Sequence, residues 1–488
     1  MTSLDFKFNK WIFKLYVIFI LFDVSLNVDA KICDKENLKI AIIGAGIGGA
    51  ATSFFLSQLP KANDFCIDIY EANKVGGRLA EVEIDGLRFD TGGCVIHDSN
   101  LYMASFLKEL GLKKRKHSLN EKLGIYNDKQ FIFIESNWNM LNYLKLIWRY
   151  GFKVMYMTNY VESILEKFVS IYEYQDKMMS FHNPVDLLKQ LSPYFPSYLS
   201  ISLKDALSKE GFSNRLIDEL VNAGLTCDYG QSPDVHQFVG VVTMAGAVGR
   251  LWSVDGGQSK VVEELIKTSQ ANLIHSKVEE ISLNSNGSFT IFENNRSKVY
   301  DFVVVAAPLT EDAKFPIKFT QFTNSIHIPG RYHRTVSTIL QGKINATYFG
   351  FSNEEEIPNT IINIDKSLFN SISEIHPVST EQKTTKKTWK IFSQKPLKPD
   401  ELDALFVERN HTKVVDWLAY PHYDTKARED TFVLYNNLFY LNSVEWVASC
   451  MEMSAISAKN IALLINNLST PKKVEYQKKF SKMNHNEL

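Results

Sequence analysis

Gly44, Gly46 and Gly49 stand in the order G-x-G-x-x-G within "KIAIIGAGIGGAATSFFL", a stretch that begins at Lys39. Glycines at this spacing, after an apolar run, make a turn able to hold a phosphate. The first permits the tight turn. The second lets a pyrophosphate approach the backbone, and the third lets the next helix pack close to the strand. The start of that helix adds free N–H groups and the positive end of its dipole. A second apolar run, "CIDIY", ends just before Glu71, about 20 residues beyond the last glycine, where a carboxylate can take ribose hydroxyls. Together these residues predict a dinucleotide site.

Which dinucleotide is decided by the next stretches. "VGGR", Val75 to Arg78, follows the acidic residue at once, and "FDTGG", Phe89 to Gly93, comes soon after. This layout resembles flavin amine oxidase-type FAD proteins, in which a second Gly-Gly-Arg loop runs along the pyrophosphate and ribitol. Gly77 and Gly93 then shape the cradle. Arg78 offers a charge-assisted contact to phosphate that a nicotinamide dehydrogenase does not need. The cofactor expected is therefore FAD. The resemblance also implies that Val278 in "HSKVEEI" meets adenine through its backbone, and that Gly256 and Gly257 in "DGGQSKVVEEL" precede a helix. In "NSVEWVASCMEMSA" it implies that Glu445 lies in a loop against the ribitol. Met451 and Glu452 then open a helix facing the pyrimidine carbonyl, where a positive dipole end stabilises an anionic reduced flavin.

Elements at three places in the chain must position these residues. Strand and helix patterns alternate from Leu38 to about Leu112. A long, aromatic-rich, mostly helical stretch follows to about Gly230, and strand patterning then returns. "YDFVVVAAPL", Tyr300 to Leu309, reads as a buried parallel strand. The fold expected is α/β: a Rossmann-type FAD-binding domain assembled from three chain segments, with an interleaved α+β substrate domain. The boundaries drawn are 38–112, 231–310 and 430–470 for the cofactor domain, and 113–230 and 311–429 for the substrate domain. The 488 residues carry 54 Lys+Arg against 55 Asp+Glu, so no electrostatic case for nucleic acid exists. The histidines are dispersed, and no metal-ligand spacing occurs.

Residues 1–30 have the pattern of a signal peptide. Lys7, Lys10 and Lys14 precede "LYVIFILF", and Val28 and Ala30 are spaced like a cleavage site. An uncleaved signal anchor is the other reading. Asn-x-Ser/Thr sequons at Asn286, Asn295, Asn345 and Asn410 agree with secretory entry, and a further one at Asn467 lies at the end of a predicted helix. The five cysteines, Cys33, Cys66, Cys94, Cys227 and Cys450, are scattered and form no framework. The tail 471–488 ends "HNEL", which resembles a retrieval address for the endoplasmic reticulum.

"GGCVIH", "ESNW", "IWRYGF", "YGQSPDVHQFVGVV", "LWSVDGG", "WKIFSQ" and "WLAYPHY" carry a closer resemblance, to the prenylcysteine oxidase family, from Lys39 to about Leu464. Several of these stretches lie outside the cofactor fold. The resemblance implies oxidation of the thioether carbon of farnesyl- or geranylgeranyl-cysteine. The products are free cysteine, a prenyl aldehyde and, with dioxygen as final acceptor, hydrogen peroxide. It implies a lysosomal site of action, with the endoplasmic reticulum or secretion as alternatives. Such chemistry asks the protein to place one C–H and bury a long apolar tail, and no catalytic triad is expected. His97, which closes "GGCVIH", could orient substrate or accept a proton, or be a structural histidine. Lys390 in "WKIFSQ" resembles the active-site lysine of amine oxidases. Arg149 could meet the substrate carboxylate or pair with a protein acid, and His422 could be an ordinary loop residue. Trp138 to Val161 could line a prenyl channel, rest peripherally on a membrane, or form a buried helix pair. Two other functions use the same cofactor residues: a flavin amine oxidase, and a non-catalytic secreted lipid-binding flavoprotein.

Overall fold

The run "LKIAII" forms the strand Leu38–Ile43, buried over its last four residues. It pairs in parallel with Phe65–Tyr70 on one side and Phe302–Val305 on the other. The six-stranded sheet has the order Asn272–Ile274, Phe65–Tyr70, Leu38–Ile43, Phe302–Val305, Leu438–Tyr440, Val433–Tyr435. Every neighbouring pair is parallel except the last, which is antiparallel. The structure, a computed structural model, describes residues 36–116, 121–382 and 384–469. The expected signal segment 1–30, the tail 471–488 and Cys33 lie outside them.

Such strands are apolar on both faces because both are covered. Ile40 and Ile42 point to one side, into a core shared with the helices Ile47–Ser57, Ser259–Ser269 and Met451–Leu468. Ala41, Ile43, Val303 and Val305 point to the other, where Val278, Ile281 and Phe289 of a four-stranded sheet meet them. The main sheet draws its strands from residues 38–70, 272–305 and 433–440, the three separated blocks expected.

The rest of the chain forms a seven-stranded sheet and a helical layer. The sheet runs Phe406–Pro421, Tyr332–Ile344, Thr388–Ser393, Ser371–Ile375, Thr360–Asn363, Leu123–Tyr126, Phe131–Ile134. Helices from Asn139–Tyr150 to Gln237–Ala245 make up the layer. Cys66 is disulfide-bonded, whereas Cys94, Cys227 and Cys450 are free thiols. Among the described residues, no helix is long and apolar enough to cross a membrane.

Candidate active site

The three motif glycines are needed for different reasons. Gly44 has φ +111°, and a Cβ there would lie 2.8 Å from the Ala306 carbonyl oxygen. A Cβ on Gly49 would lie 1.9 Å from the Gly44 carbonyl oxygen. Packing alone therefore requires these two. Gly46 caps the helix Ile47–Ser57, and a Cβ on it would meet only the Gly76 carbonyl oxygen, 3.9 Å away. The protein leaves room at Gly46, and the space before it opens onto the helix N-terminus.

Gly76 and Gly77 line the same space. Gly76 donates its N–H to the Ala45 carbonyl at 2.9 Å and forms a parallel bridge with Gly46. The Glu71 carboxylate closes the turn, accepting from the N–H groups of Ala45 (2.9 Å) and Asn73 (2.7 Å). A Cβ on Gly92 would strike the Arg78 carbonyl, but one on Gly93 would meet nothing within 4 Å. Open glycines at Gly46 and Gly93, and a buried Asn442 Oδ1 with no protein partner, fit a dinucleotide laid along this line. Gly46, Glu71, Gly77 and Gly93 would hold it.

Arg78 and Glu445 meet as an ion pair. Burial opposes the guanidinium charge, yet Glu445 beside it holds Arg78 above the usual arginine range. Arg78 also donates to the Ala419 carbonyl at 2.6 Å. Glu445 is buried and accepts from Tyr332 Oη (2.8 Å) and Asn442 Nδ2 (2.9 Å). It sits in a 3₁₀ turn, Leu441–Trp446, rather than a loose loop. Tyr423 Oη donates to the Glu445 carbonyl and accepts from Ser449 N–H, and Tyr229 Oη donates to the Ser449 carbonyl. The Tyr229 ring meets Tyr420 and Tyr423 edge-on, with centroids 5.0 and 5.5 Å apart. "YGQS" and "WLAYPHY", distant in sequence, thus wall the approach to Cys450 and Met451, which open the helix Met451–Leu468.

Lys390 lies on this wall. It is buried on the strand Thr388–Ser393, and its Nζ donates to the Gly92 carbonyl at 3.0 Å. Its charge is felt at Cys94 and Cys227. Desolvation pushes the Cys227 thiol up to about 12 and Cys450 up to about 11, so both are protonated, poor nucleophiles at neutral pH. Asp228 lies in the last turn of the helix Asn222–Tyr229 and acts electrostatically on Cys227, Tyr229 and Tyr420. Solvent reaches its carboxyl, which has no hydrogen bond or ion pair with any described residue. The surroundings still desolvate it, and its pKa rises to about 7. The sequence reading missed Asp228. Its only signal was an acid directly before "YGQS", which ties the site together.

Other expected residues are placed elsewhere or committed to structure. His97 lies in the strand Ile96–His97, opposite Leu251 of an antiparallel neighbour. Its Nε2 meets the Val248 carbonyl at 2.6 Å, and its Nδ1 accepts from Ser99 N–H at 3.0 Å. Both ring nitrogens are used, which supports the structural reading over proton transfer. Glu452 is committed to the start of another helix. It accepts from the N–H groups of Tyr102 (2.7 Å) and Met103 (2.9 Å), and from Tyr172 Oη (2.7 Å). It thereby caps the helix Leu101–Glu109, whose Asn100 makes no side-chain cap bond. Burial pushes this carboxyl up to about 7. Met451 is partly buried against the main core, and Met453 lies within it. Val278 is buried at the start of the strand Val278–Leu283. Arg149 pairs bidentately with Glu219 at 2.5 and 2.9 Å, so it is not free for a substrate carboxylate. His422 hydrogen-bonds Gln231 through Nδ1. Asn286, Asn295 and Asn410 are exposed, but Asn345 commits its Nδ2 to the Ala404 carbonyl at 2.9 Å.

Comparison with known proteins settles the family. The sequence model for prenylcysteine lyase matches residues 133–476, and one for an NAD(P)-binding Rossmann-like domain matches residues 42–110. The chain belongs to the prenylcysteine lyase family. Prenylcysteine oxidase 1 of Homo sapiens is 37% identical over 448 residues, covering 87% of this chain and 88% of its own. Prenylcysteine oxidase 1-like of Mus musculus is 35% identical over 450 residues, covering 88% and 90%. Among solved structures, cyclohexylamine oxidase from Brevibacterium oxydans superposes with a TM-score of 0.58 at 14% identity, over 89% of this chain and all of that one. Putrescine oxidase bound to putrescine gives 0.56 at 14%, over 88% and 99%. The lyase-family chain is thus an oxidoreductase on an amine-oxidase-like fold.

Proposed function

We propose that this protein is an FAD-dependent prenylcysteine oxidase, cleaving the thioether of farnesyl- or geranylgeranyl-cysteine to cysteine and a prenyl aldehyde. The observation that carries the reading is that "YGQS" and "WLAYPHY" meet at the Glu445–Ser449 turn through Tyr229 and Tyr423, while "WKIFSQ" reaches the Gly92 carbonyl through Lys390. When bound, the flavin supplies the hydride acceptor and passes electrons to dioxygen. The chain's own residues bind and orient. Gly46 and Gly77 leave the pyrophosphate its path, and Glu71 takes the ribose. Arg78, fixed by Glu445, supplies positive charge near the phosphates. Tyr229, Tyr420 and Tyr423 make an apolar wall with polar tips beside the reacting carbon, which admits the one water whose oxygen becomes the aldehyde oxygen. Asp228, without a hydrogen bond or ion pair and open to solvent, is available to a cation. The α-ammonium of the substrate is that cation, so the carboxyl orients the amino-acid end.

The test is anaerobic mixing of the purified protein with farnesylcysteine. Bleaching of the flavin band and release of free cysteine are expected; an unbleached flavin would sink the reading. A non-catalytic lipid carrier fails the same test in the opposite sense, by binding without bleaching.

The proposed compartment is secretory, with the lysosome as destination. The Cys66 disulfide supports an oxidising route, and so do the exposed sequons. Site-by-site glycan mapping checks this. Glycans are expected at Asn286, Asn295 and Asn410, with Asn345 bare, on protein found in acidic vesicles. Unglycosylated protein in the cytosol would overturn it.

A further inference from the structure

The segment Trp138–Tyr156 is apolar on two sides. The helix Asn139–Tyr150 turns Leu146, Ile147 and Tyr150 inward, into the core beneath it. Its other side is apolar too and uncovered. Trp148 is 87% exposed, Phe152 76%, Met140 74%, Trp138 74%, Tyr156 59% and Leu144 57%. A helix with a second, uncovered apolar side has surface left for a second apolar neighbour. A contiguous patch of large side chains on this scale marks an interaction surface rather than scattered exposure.

Charge identifies the neighbour. Between residues 138 and 156 the charged residues are Lys145, Arg149 and Lys153, and there is no Asp or Glu. Arg149 is held by Glu219 behind the patch, while Lys145 reaches the Ile134 carbonyl and Lys153 lies over the Tyr156 ring. Tryptophan, tyrosine and lysine around an apolar strip match the headgroup boundary of a bilayer. A second copy of the chain fits worse. An isologous contact would bring the same basic strip against itself with no acid to meet it. No described helix can span a bilayer, so the contact is interfacial.

We infer that the face Trp138–Tyr156 docks this protein onto an anionic lipid surface, from which the prenylcysteine is drawn. The second clause rests on the proposed function. One layer in, Leu146 packs in a cluster with Ala223 and Cys227, on the helix that carries Asp228 in its last turn. The lipid-facing layer thus lies directly over the wall of the site, and a prenyl tail leaving the bilayer meets apolar side chains on the way in.

The experiment uses the flavin-loaded full chain, vesicles of phosphatidylcholine with and without phosphatidylserine, and no substrate. Wild type is expected to sediment with both, more with phosphatidylserine, and the increment should shrink with salt. Trp148→Ser with Phe152→Ser, both far exposed, should fold normally and lose vesicle binding by at least about tenfold. Failure of wild type to bind, or equal binding by the double variant, overturns the inference. So does a wild-type dimer that the double variant abolishes, since the occupant is then a second copy. Flavin reduction by dissolved farnesylcysteine, without vesicles, is measured separately and should be unchanged in the double variant. Vesicle binding without flavin reduction would sink the proposed function and leave the lipid surface standing.

Discussion

Gly46 and Asp228 are the residues whose surroundings point most directly to a ligand. Gly46 has room for a side chain as far as the protein is concerned, so Gly46→Val should fold and still lose the flavin. The purified variant should lack flavin absorbance while melting close to the flavin-free wild type. A yellow variant would show that no pyrophosphate passes there. Asp228→Asn should keep the flavin, because the carboxyl touches neither glycine loop. Losing a charge-assisted contact to the substrate ammonium costs about 1.5–3 kcal/mol, a roughly tenfold to hundredfold rise in KM with kcat much less affected. In wild type, KM should fall as pH rises through about 7, where the carboxyl ionises, and the variant should lose that dependence. An unchanged KM would return Asp228 to an idle surface acid. Gly46 was legible because its meaning is local, a spacing between a strand and a helix. Asp228 was not, because its neighbour Tyr420 is far away in sequence. The two readings of His97 stayed open for the same reason. Its nearness to Gly93 is written in the chain, but its bond to Val248 is not.

At the scale of elements, helix ends do much of the joining. Glu452 reaches across from one helix to cap another, and His236 caps its own, accepting from Val239 N–H through Nδ1 at 3.3 Å. His236 also donates from Nε2 to the Trp446 carbonyl at 3.0 Å, which ties "YGQSPDVHQ" to the turn carrying Glu445. Burial lowers this imidazole to about 4, so it is neutral in the folded protein at neutral pH. The unfolded chain takes up its proton near 6.5. A histidine depressed in this way gives stability that is present above 6.5 and is lost as pH falls toward 4. The linkage amounts to about 3 kcal/mol at the acid end. Asn at this position keeps a good cap and cannot titrate. His236→Asn should be less stable at pH 7 by about 1 kcal/mol, for the lost bond to Trp446. Between pH 6.5 and 4 it should then lose less stability than wild type. Parallel melting curves over that range would mean His236 does not titrate with folding. The strands around Leu38 and Phe302 were readable from their apolar runs. The helix Asn139–Tyr150 was read as channel, membrane face or buried pair, because its apolar residues point both ways and only packing separates the two faces.

On the scale of the whole molecule, the cofactor site is a junction. One wall comes from residues 44–49, a second from 71–93, and a third from the turn and helix after Leu441. The Arg78–Glu445 pair joins two of these across most of the sequence. The three-block organisation could be read in advance because a parallel sheet needs crossovers, and the glycine motif, the buried run Tyr300–Leu309 and the stretch around Glu445 lie far apart in the chain. How the blocks meet could not, since it depends on pairs such as Arg78 with Ala419 and Tyr332 with Glu445. A ligand bound only by the assembled junction stabilises all of it, by about 4 kcal/mol at a thousandfold excess over Kd. Stripping the flavin should therefore lower the melting temperature of the entire chain. The stripped form should also expose the Glu71–Gly93 loops and the Ser443–Cys450 turn to protease together, although they are far apart in sequence. Added FAD should restore both properties with the same concentration dependence. Non-covalent loss on mild denaturation is expected too, because the nearby Cys450 thiol is held protonated by burial. If the stripped and loaded proteins melt alike, or if only one of the two loops becomes cleavable, the cofactor does not bridge the segments, and the junction is held by protein contacts alone.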